Sequence, residues 1–200
     1  MSQIFSDKTG TLTCNVMQFK KFSAGLQSYG ISGDNTDAMK QRGNVVPNVN
    51  FDDPKFYNDR ASNSHQFHCI RRMILNLALN HSVLVNNKDG EIHYNASSPD
   101  ELALVNGARY LGATFKSRDD DNAMLVEIGG ETEKYELLNV IEFDSTRKRM
   151  TVIVRCCKDN VIYVMCKGAD SILLPLLKNK EDPAVKNVVT ATFKYMDEYA

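Results

Sequence analysis

Residues 123–166 read AMLVEIGGETEKYELLNVIEFDSTRKRMTVIVRCCKDNVIYVMC. The stretch contains four runs rich in β-branched, aromatic and other apolar residues, separated by turn-forming residues such as Gly129-Gly130 and Lys158-Asp159-Asn160. Short runs of this composition joined by turn residues predict antiparallel strands that follow one another in a sheet. We expect strands at residues 123–128, 135–143, 149–156 and 161–166.

Helical patterns lie on both sides of this meander. Before it, apolar residues recur at spacings of three and four, which predicts a helix with one buried face. The sequence Ser98-Pro99-Asp100-Glu101 predicts a helix start, with Ser98 as the N-cap and Glu101 closing a capping box. We expect helices at residues 65–81, 98–112, 170–177 and 184–200. The predicted fold class is α+β, an antiparallel β-sheet flanked by helices.

Segment 34–64 carries a different composition. It is rich in Asn and Asp and contains Pro47 and Pro54, which is typical of irregular polar structure. We therefore expect a long polar loop that contributes little to the core.

Composition limits the classes of partner. The 200 residues include 24 basic and 25 acidic ones, so the formal net charge of -1 provides no field that would attract nucleic acid. A bound polyanion requires a local basic patch instead. The five cysteines are odd in number and contain no CxxC pair, which argues against a disulfide framework and a thiolate zinc site. No run approaches the roughly 18 apolar residues of a membrane helix.

Asp7 is the first candidate for chemistry. It follows the sequence SQIFS at residues 2–6, which predicts a short strand, and it opens the sequence DKTGTLT at residues 7–13. A carboxylate at the end of a strand, in a turn of exposed amides and hydroxyls, is placed to attack the terminal phosphorus of a nucleotide. The pattern therefore predicts that Asp7 is a nucleophile in phosphoryl transfer.

The residues after Asp7 suit the same chemistry. Lys8 would neutralise charge on the transferring phosphoryl group, and the Thr11 hydroxyl would hold a phosphate oxygen. The backbone carbonyl of Thr9 and the Asp7 carboxylate supply oxygen ligands of the kind that Mg²⁺ prefers. We expect a nucleotide and Mg²⁺ as the ligands of this segment.

DKTGTLT is the signature that P-type ATPases share, and the chain resembles their lipid-flippase branch along most of its length. The resemblance is carried by four stretches: DKTGTLTCNVMQFKK at 7–21, YNASSPDELALVNGAR at 94–109, EFDSTRKRMTVIVR at 142–155 and VMCKGAD at 164–170. It implies that residues 1–22 begin a phosphorylation domain and residues 23–200 form a nucleotide-binding domain. It also implies that the chain stops before the last strands of that domain.

The resemblance assigns nucleotide-binding roles to five residues. It implies that Phe143 stacks on adenine, that Lys148 reaches the phosphates, and that Lys167 lines the base pocket, where Gly168 lets the backbone approach closely. Glu101 matches an acidic residue near the adenine amino group, although a capping box would explain it without a ligand. Read without the resemblance, Phe143 is a core residue and Lys148 a solvated cation.

Thr9 separates this chain from aspartyl phosphatases of the haloacid-dehalogenase type. Those enzymes usually carry a second aspartate two residues after the nucleophile, where it protonates the leaving group and activates water. With Thr9 at that position, the aspartyl phosphate should hydrolyse slowly, as a pump that stores energy in this bond requires.

For the full-length protein, the resemblance implies ATP hydrolysis through an aspartyl-phosphate intermediate, a phospholipid substrate and a small accessory membrane subunit. The chain would be the cytosolic domain of an integral membrane protein. By itself we expect it to be monomeric and to bind ATP without turnover. Three alternatives remain: the equivalent segment of a cation pump, a fragment of a haloacid-dehalogenase-type phosphatase, and a non-enzymatic interaction module that uses the helices and segment 34–64.

Overall fold

A computed structural model describes residues 6–7, 11–62, 64–88 and 90–199. The first half of the chain contains β1 (Phe22–Ala24), β2 (Gln27–Tyr29), α1 (Thr36–Gln41), α2 (Pro54–Ala61), α3 (His65–Leu79), β3 (Leu84–Lys88) and β4 (Glu91–Asn95). The second half contains α4 (Pro99–Tyr110), β5 (Ala113–Arg118), β6 (Met124–Ile128), β7 (Glu131–Asp144), β8 (Arg149–Cys156), β9 (Ile162–Gly168), α5 (Asp170–Leu173), a 3₁₀ turn (Leu174–Leu176) and α6 (Pro183–Tyr199). Within these ranges, no helix combines the length and the apolar character that crossing a membrane requires.

The central feature is a five-stranded antiparallel sheet. Its strands lie in the order β5-β6-β7-β8-β9, so each strand pairs with its neighbours in sequence. This order confirms the predicted meander and the α+β class. Along β8, the side chains of Met150, Val152 and Val154 are buried, as expected for a strand with one face on the core. β1 pairs with β2 and β3 with β4 in two further antiparallel hairpins.

Helix α3 contacts both α4 and the sheet. It begins at Ser64, whose hydroxyl accepts a hydrogen bond from the Phe67 amide at 3.3 Å, as an N-cap should. The residues that it buries recur at helical spacing: Ile70, Ile74, Leu75, Ala78 and Leu79. α3 packs against α4, β5, β6 and β9. The predicted helix and its apolar face are confirmed, although the helix ends at Leu79, two residues before the predicted end at His81.

The capping box at the start of α4 was a wrong prediction. Ser98 is the N-cap residue, but its side chain makes no capping hydrogen bond. The carboxylate of Glu101 instead accepts hydrogen bonds from Ser82 and Lys167. An ammonium is a stronger partner for a carboxylate than a backbone amide at a frayed helix end, so the distant contact replaces the local one.

The prediction that segment 34–64 is a loop with little core was also wrong. It contains α1 and α2, and the rings of Phe51 and Phe56 are fully buried and lie 5.5 Å apart. Its polar residues satisfy backbone groups: Asp53 accepts a hydrogen bond from the Lys55 amide at 2.8 Å and caps α2. Asn50 accepts one from the buried Asn35 amide at 2.7 Å. The polar composition therefore reflects capping and buried hydrogen bonds.

Candidate functional site

A groove of about 1460 Å³ runs between the ends of β7 and β9, the first turn of α4 and the segment that leads into β1. Four of the predicted site residues line it: Glu101, Phe143, Lys167 and Gly168. They come from three separate regions of the chain, and the antiparallel order of β7, β8 and β9 brings two of those regions together. The groove is large enough for a ligand of nucleotide size.

Phe143 contributes an aromatic ring to this groove. It lies next to the last residue of β7, where the pairing with β8 shifts register between Ile141 and Asp144. Such irregularities re-aim side chains at the edge of a sheet. The ring is 63% exposed, so its face is accessible for stacking against a planar ligand in the groove.

Lys167 and Glu101 form an ion pair in the wall of the groove. Lys167 Nζ lies 2.7 Å from Glu101 Oε1, and the two side chains are only 21% and 13% exposed. The other carboxylate oxygen, Oε2, accepts hydrogen bonds from the Ser82 hydroxyl at 2.7 Å and the Ser82 amide at 3.3 Å. Burial alone would raise the pKa of Glu101, but the bonds from Lys167 and Ser82 outweigh it and lower the pKa. Glu101 is therefore an oriented anion at neutral pH.

Gly168 lets β9 approach the turn that follows β7. A Cβ atom built on Gly168 would lie 2.5 Å from the Lys148 carbonyl oxygen and 2.8 Å from the Cα of Arg149. The amide of Ala169 donates to that same Lys148 carbonyl at 3.1 Å. No side chain fits between these two backbones, so glycine is required at this position.

Lys148 lies in the turn beside the groove, and its backbone closes that turn. Its amide donates to the Asp144 carbonyl at 2.6 Å, and its φ of 50° is the left-handed conformation that closes the tight turn. The Asp144 carboxylate accepts hydrogen bonds from the amides of Thr146 and Arg147 and holds the same turn. The Lys148 side chain is exposed and does not line the groove.

The residues of the DKTGTLT segment that the structure describes, Asp7 and residues 11–13, do not line the groove. Asp7 and Thr11 are exposed and lie outside the lining. Lys8 and Thr9, together with the strand predicted at residues 2–6, fall outside the residues that the structure describes, except for Ser6, which is not in a strand. Across the described ranges, no group of three or more His, Cys, Asp or Glu side chains is arranged to hold a metal ion.

Two asparagines that the sequence analysis did not single out fix the end of α3 to the sheet. Asn76 Nδ2 donates to the Cys166 carbonyl at 3.2 Å, and the fully buried Asn80 donates to the Met165 carbonyl at 3.1 Å. Both carbonyls lie on β9 just before Lys167. The pair is recognisable in the sequence as two amides spaced by four residues on the otherwise apolar face of the helix.

His81 follows this helix and is buried in the neutral form. Its Nδ1 accepts from the Val83 amide at 3.1 Å, so Nε2 carries the proton and donates to the Ala78 carbonyl at 2.9 Å. Burial lowers the pKa of His81 to about 4. The charge of Lys167 acts in the same direction. The neutral His81 ring is thus held in place beside Ser82 and adds no charge to the groove.

Comparison with known proteins gives a consistent result. Residues 69–179 match the family model described as P-type ATPase, cytoplasmic domain N. The chain is 39% identical over 184 residues to phospholipid-transporting ATPase IC of Homo sapiens, covering 85% of the chain and 14% of that protein. It is 41% identical over 202 residues to phospholipid-transporting ATPase DRS2 of Saccharomyces cerevisiae, covering 98% of the chain and 14% of that protein. It is 35% identical over 197 residues to phospholipid-transporting ATPase tat-1 of Caenorhabditis elegans, and this match covers 98% of the chain and 16% of that protein. The chain thus spans about a seventh of the length of these relatives.

Proposed function

This chain belongs to the P-type ATPase family, and from that premise we propose that it is the ATP-binding cytosolic segment of a phospholipid-translocating pump. Within it, residues 1–22 would begin the phosphorylation domain and residues 23–200 would form the nucleotide-binding domain. The relatives named as phospholipid-transporting ATPases support lipid, rather than a cation, as the transported substrate. A small accessory membrane subunit would accompany the full-length protein.

One observation carries the nucleotide assignment: Phe143, Lys167 and Glu101 meet in a single groove although they are distant in sequence. An exposed phenylalanine ring is a surface on which a purine stacks, and such stacking contributes about 1–3 kcal/mol per base. The apolar side chains of Met150 and Leu77 line the same groove and provide further contact for the base. Adenine would therefore lie against Phe143.

The polar wall would orient the base. Because Ser82 and Lys167 fix the Glu101 carboxylate, it is presented as an acceptor for the exocyclic amino group of adenine. Lys167 would in turn hold its ammonium at the edge of the base pocket. Guanine carries a carbonyl oxygen where adenine carries that amino group, so the same carboxylate would disfavour GTP.

The triphosphate would extend toward the basic residues at the edge of the groove. Lys148 has an exposed, flexible side chain on a rigid turn, so its ammonium can follow the phosphates without moving the backbone. Lys20 and Lys21 line the groove from the segment before β1 and add positive charge. These cations supply the local basic patch that the nearly neutral composition lacks.

In the full-length pump, a carboxylate oxygen of Asp7 would attack the γ-phosphorus of ATP. The new bond joins that oxygen to phosphorus, the bond from phosphorus to the bridging oxygen breaks, and ADP leaves with the electron pair. Lys8 and Thr11 would bind the oxygens of the transferring group. Mg²⁺, which would be held by Asp7 and the Thr9 carbonyl, neutralises phosphate charge when bound. These two groups are a partial ligand set, which fits an ion that keeps several waters.

Calorimetric titration of the 200-residue chain tests the proposal. We expect ATP to bind with a dissociation constant in the range of about 0.1–1 mM, GTP to bind at least several-fold more weakly, and neither nucleotide to be hydrolysed. Absence of ATP binding at several millimolar would contradict the assignment. Hydrolysis of p-nitrophenyl phosphate by the chain would favour the phosphatase alternative.

The lipid assignment needs the full-length protein. Reconstituted in liposomes, its ATPase activity should rise when phospholipids of one headgroup class are supplied, and it should move a fluorescent phospholipid between leaflets. ATPase activity that responds to a metal cation and not to lipid would identify a cation pump instead.

A further inference from the structure

A second, smaller pocket lies apart from the groove and shares no lining residue with it. Its volume is about 180 Å³, and it is enclosed by the last turn of α2, one face of α3, the junction between α4 and β5, and the turn between β6 and β7. A space of this size accommodates a single ring or a branched aliphatic group, and it is smaller than the usual pocket for a drug-sized ligand.

The walls of this pocket are mainly apolar. Ile70, Ile74, Leu75 and Leu111 line it and are buried at their own positions in the core. Phe67 extends the apolar lining along α3. These apolar walls offer a water molecule no hydrogen-bond partner, so this part of the pocket favours an apolar group over water.

Two arginines reach the pocket, and one of them is neutralised within the protein. Arg71 forms a two-fold hydrogen bond with the carboxylate of Glu133, at 2.7 Å and 2.9 Å, and the Tyr135 hydroxyl donates to the same carboxylate at 2.5 Å. Glu133 therefore balances the charge of Arg71, so Arg71 would attract an anionic ligand only weakly.

Arg60 is the other arginine, and its guanidinium forms no hydrogen bond or ion pair with any residue that the structure describes. Its side chain is half-buried, and burial lowers its pKa. The guanidinium is seated against Gly112, where a Cβ atom would overlap its nitrogen atoms. Gly112 has a φ of 101°, so both its conformation and its lack of a side chain favour glycine at this position. A partly desolvated cation without a counter-ion is costly, and an anion would offset that cost.

We propose that this pocket binds a small carboxylate, whose ring or branched aliphatic group fills the apolar space while its carboxylate pairs with Arg60. The planar guanidinium offers parallel N–H donors that match the two oxygens of a carboxylate. Phosphate monoesters of the same size carry more charge than one arginine compensates in an apolar pocket. The ligand is therefore a monocarboxylate with one compact apolar group.

Phenylacetate is a suitable probe, and phenylacetamide is its neutral counterpart of the same shape. Titrated into the ¹⁵N-labelled chain at pH 7, phenylacetate should shift the amide signals of Arg60, Gly112 and Gly129 with a dissociation constant of about 1 mM. Phenylacetamide should bind at least about ten-fold more weakly because it lacks the charge that Arg60 recognises. Equal affinity for the two probes, or no shift in this pocket at about 20 mM phenylacetate, would overturn the proposal.

Substitution of Arg60 tests whether its charge, and not only its shape, contributes to phenylacetate binding. Arg60→Met keeps the side-chain bulk and should weaken phenylacetate binding at least about ten-fold, while ATP binding in the groove stays unchanged. Arg72→Met removes a neighbouring exposed arginine and should change neither affinity. If Arg60→Met fails to fold, the comparison of the two probes on the unchanged chain still decides. A peptide with a free carboxyl-terminal phenylalanine that binds where phenylacetate does not would overturn the assignment to a small molecule.

Discussion

Lys167 Nζ lies 2.7 Å from Glu101 Oε1, and this ion pair joins the end of β9 to the first turn of α4. The two residues are 66 positions apart in sequence, so the pair closes a long loop of chain across the groove. Ser82 binds the other carboxylate oxygen and connects the end of α3 to the same point. Three elements thus converge on one carboxylate in the wall of the proposed nucleotide site.

Glu101→Gln should destabilise the chain by about 2 kcal/mol, because it leaves the mostly buried Lys167 ammonium without its counter-charge. The free energy of unfolding from urea titration at pH 7 measures the effect. Asp100→Asn is the matched control: this neighbouring carboxylate is exposed, and its loss should change stability by less than about 0.5 kcal/mol. Equal effects of the two substitutions would mean that the ion pair contributes no stability.

His81 should make the chain less stable as the pH falls from 7 to 5. Its pKa is lowered from 6.5 to about 4 in the folded chain, so between these values the unfolded chain binds a proton that the folded chain does not. The stability that depends on the neutral form of His81 is fully present above pH 6.5. It declines as the pH approaches 4, and the free energy of unfolding should fall by about 2 kcal/mol by pH 5. Three charged groups act on this imidazole: Lys167, Arg118 and Glu101. The two cations lower the pKa of His81, and the carboxylate of Glu101 raises it by less.

The substitution His81→Gln tests this origin of the pH dependence. It should lower stability at pH 7, because Gln cannot reproduce both ring hydrogen bonds, and it should flatten the decline between pH 7 and pH 5. His93→Gln replaces an exposed histidine and should leave the slope unchanged. Unfolding by urea at several pH values measures both. An undiminished slope in His81→Gln would assign the pH dependence to other groups.

Gly168→Ala should lower stability by about 2 kcal/mol, or roughly 6 °C in Tm, because the added Cβ atom meets backbone atoms of Lys148 and Arg149 that cannot rotate away. Thermal unfolding followed by circular dichroism measures the change. The same substitution should weaken ATP binding, since the turn that carries Lys148 must move. A variant with unchanged Tm would show that β9 and the turn do not approach closely.

The elements that sequence alone predicted are those with strong local patterns. The apolar face of α3 is visible in the sequence because its buried residues recur at one helical spacing. The runs that became β6 to β9 are visible because they are rich in β-branched and other apolar residues and are bounded by turn-forming residues. β3 and β5 were not predicted. β3 reads LVNNK and is largely exposed, whereas β5 reads ATFKSR and buries only Ala113 and Phe115, so neither has enough apolar residues to reveal its period.

Segment 34–64 shows where composition misleads. Phe51 and Phe56 are single aromatic residues in polar surroundings, and no local spacing distinguishes them from surface residues. They become core only because the folded chain brings them against Phe22 and Tyr29, with ring centroids 5.7 Å and 6.0 Å apart. Tertiary contact therefore decides their burial.

The candidate site was predictable in part. Motif resemblance identified Glu101, Phe143, Lys167 and Gly168, which line one groove in the structure. Ser82 was missed because its contact with Glu101 joins residues 19 positions apart, and a local capping pattern gave that carboxylate another explanation. The roles of these residues toward a nucleotide remain predictions.

The most direct test of the central claim is an ATP titration of the ¹⁵N-labelled chain and of two variants. In the unchanged chain, amide shifts should cluster around Phe143, Lys167 and Glu101. Phe143→Ala should weaken ATP binding about ten-fold because it removes the stacking surface, with little loss of stability since the ring is 63% exposed. Ile141→Ala removes another exposed apolar side chain of β7 that does not line the groove, and it should leave the affinity unchanged. Shifts scattered over unrelated surfaces, or equal affinities in Phe143→Ala and the unchanged chain, would contradict the account.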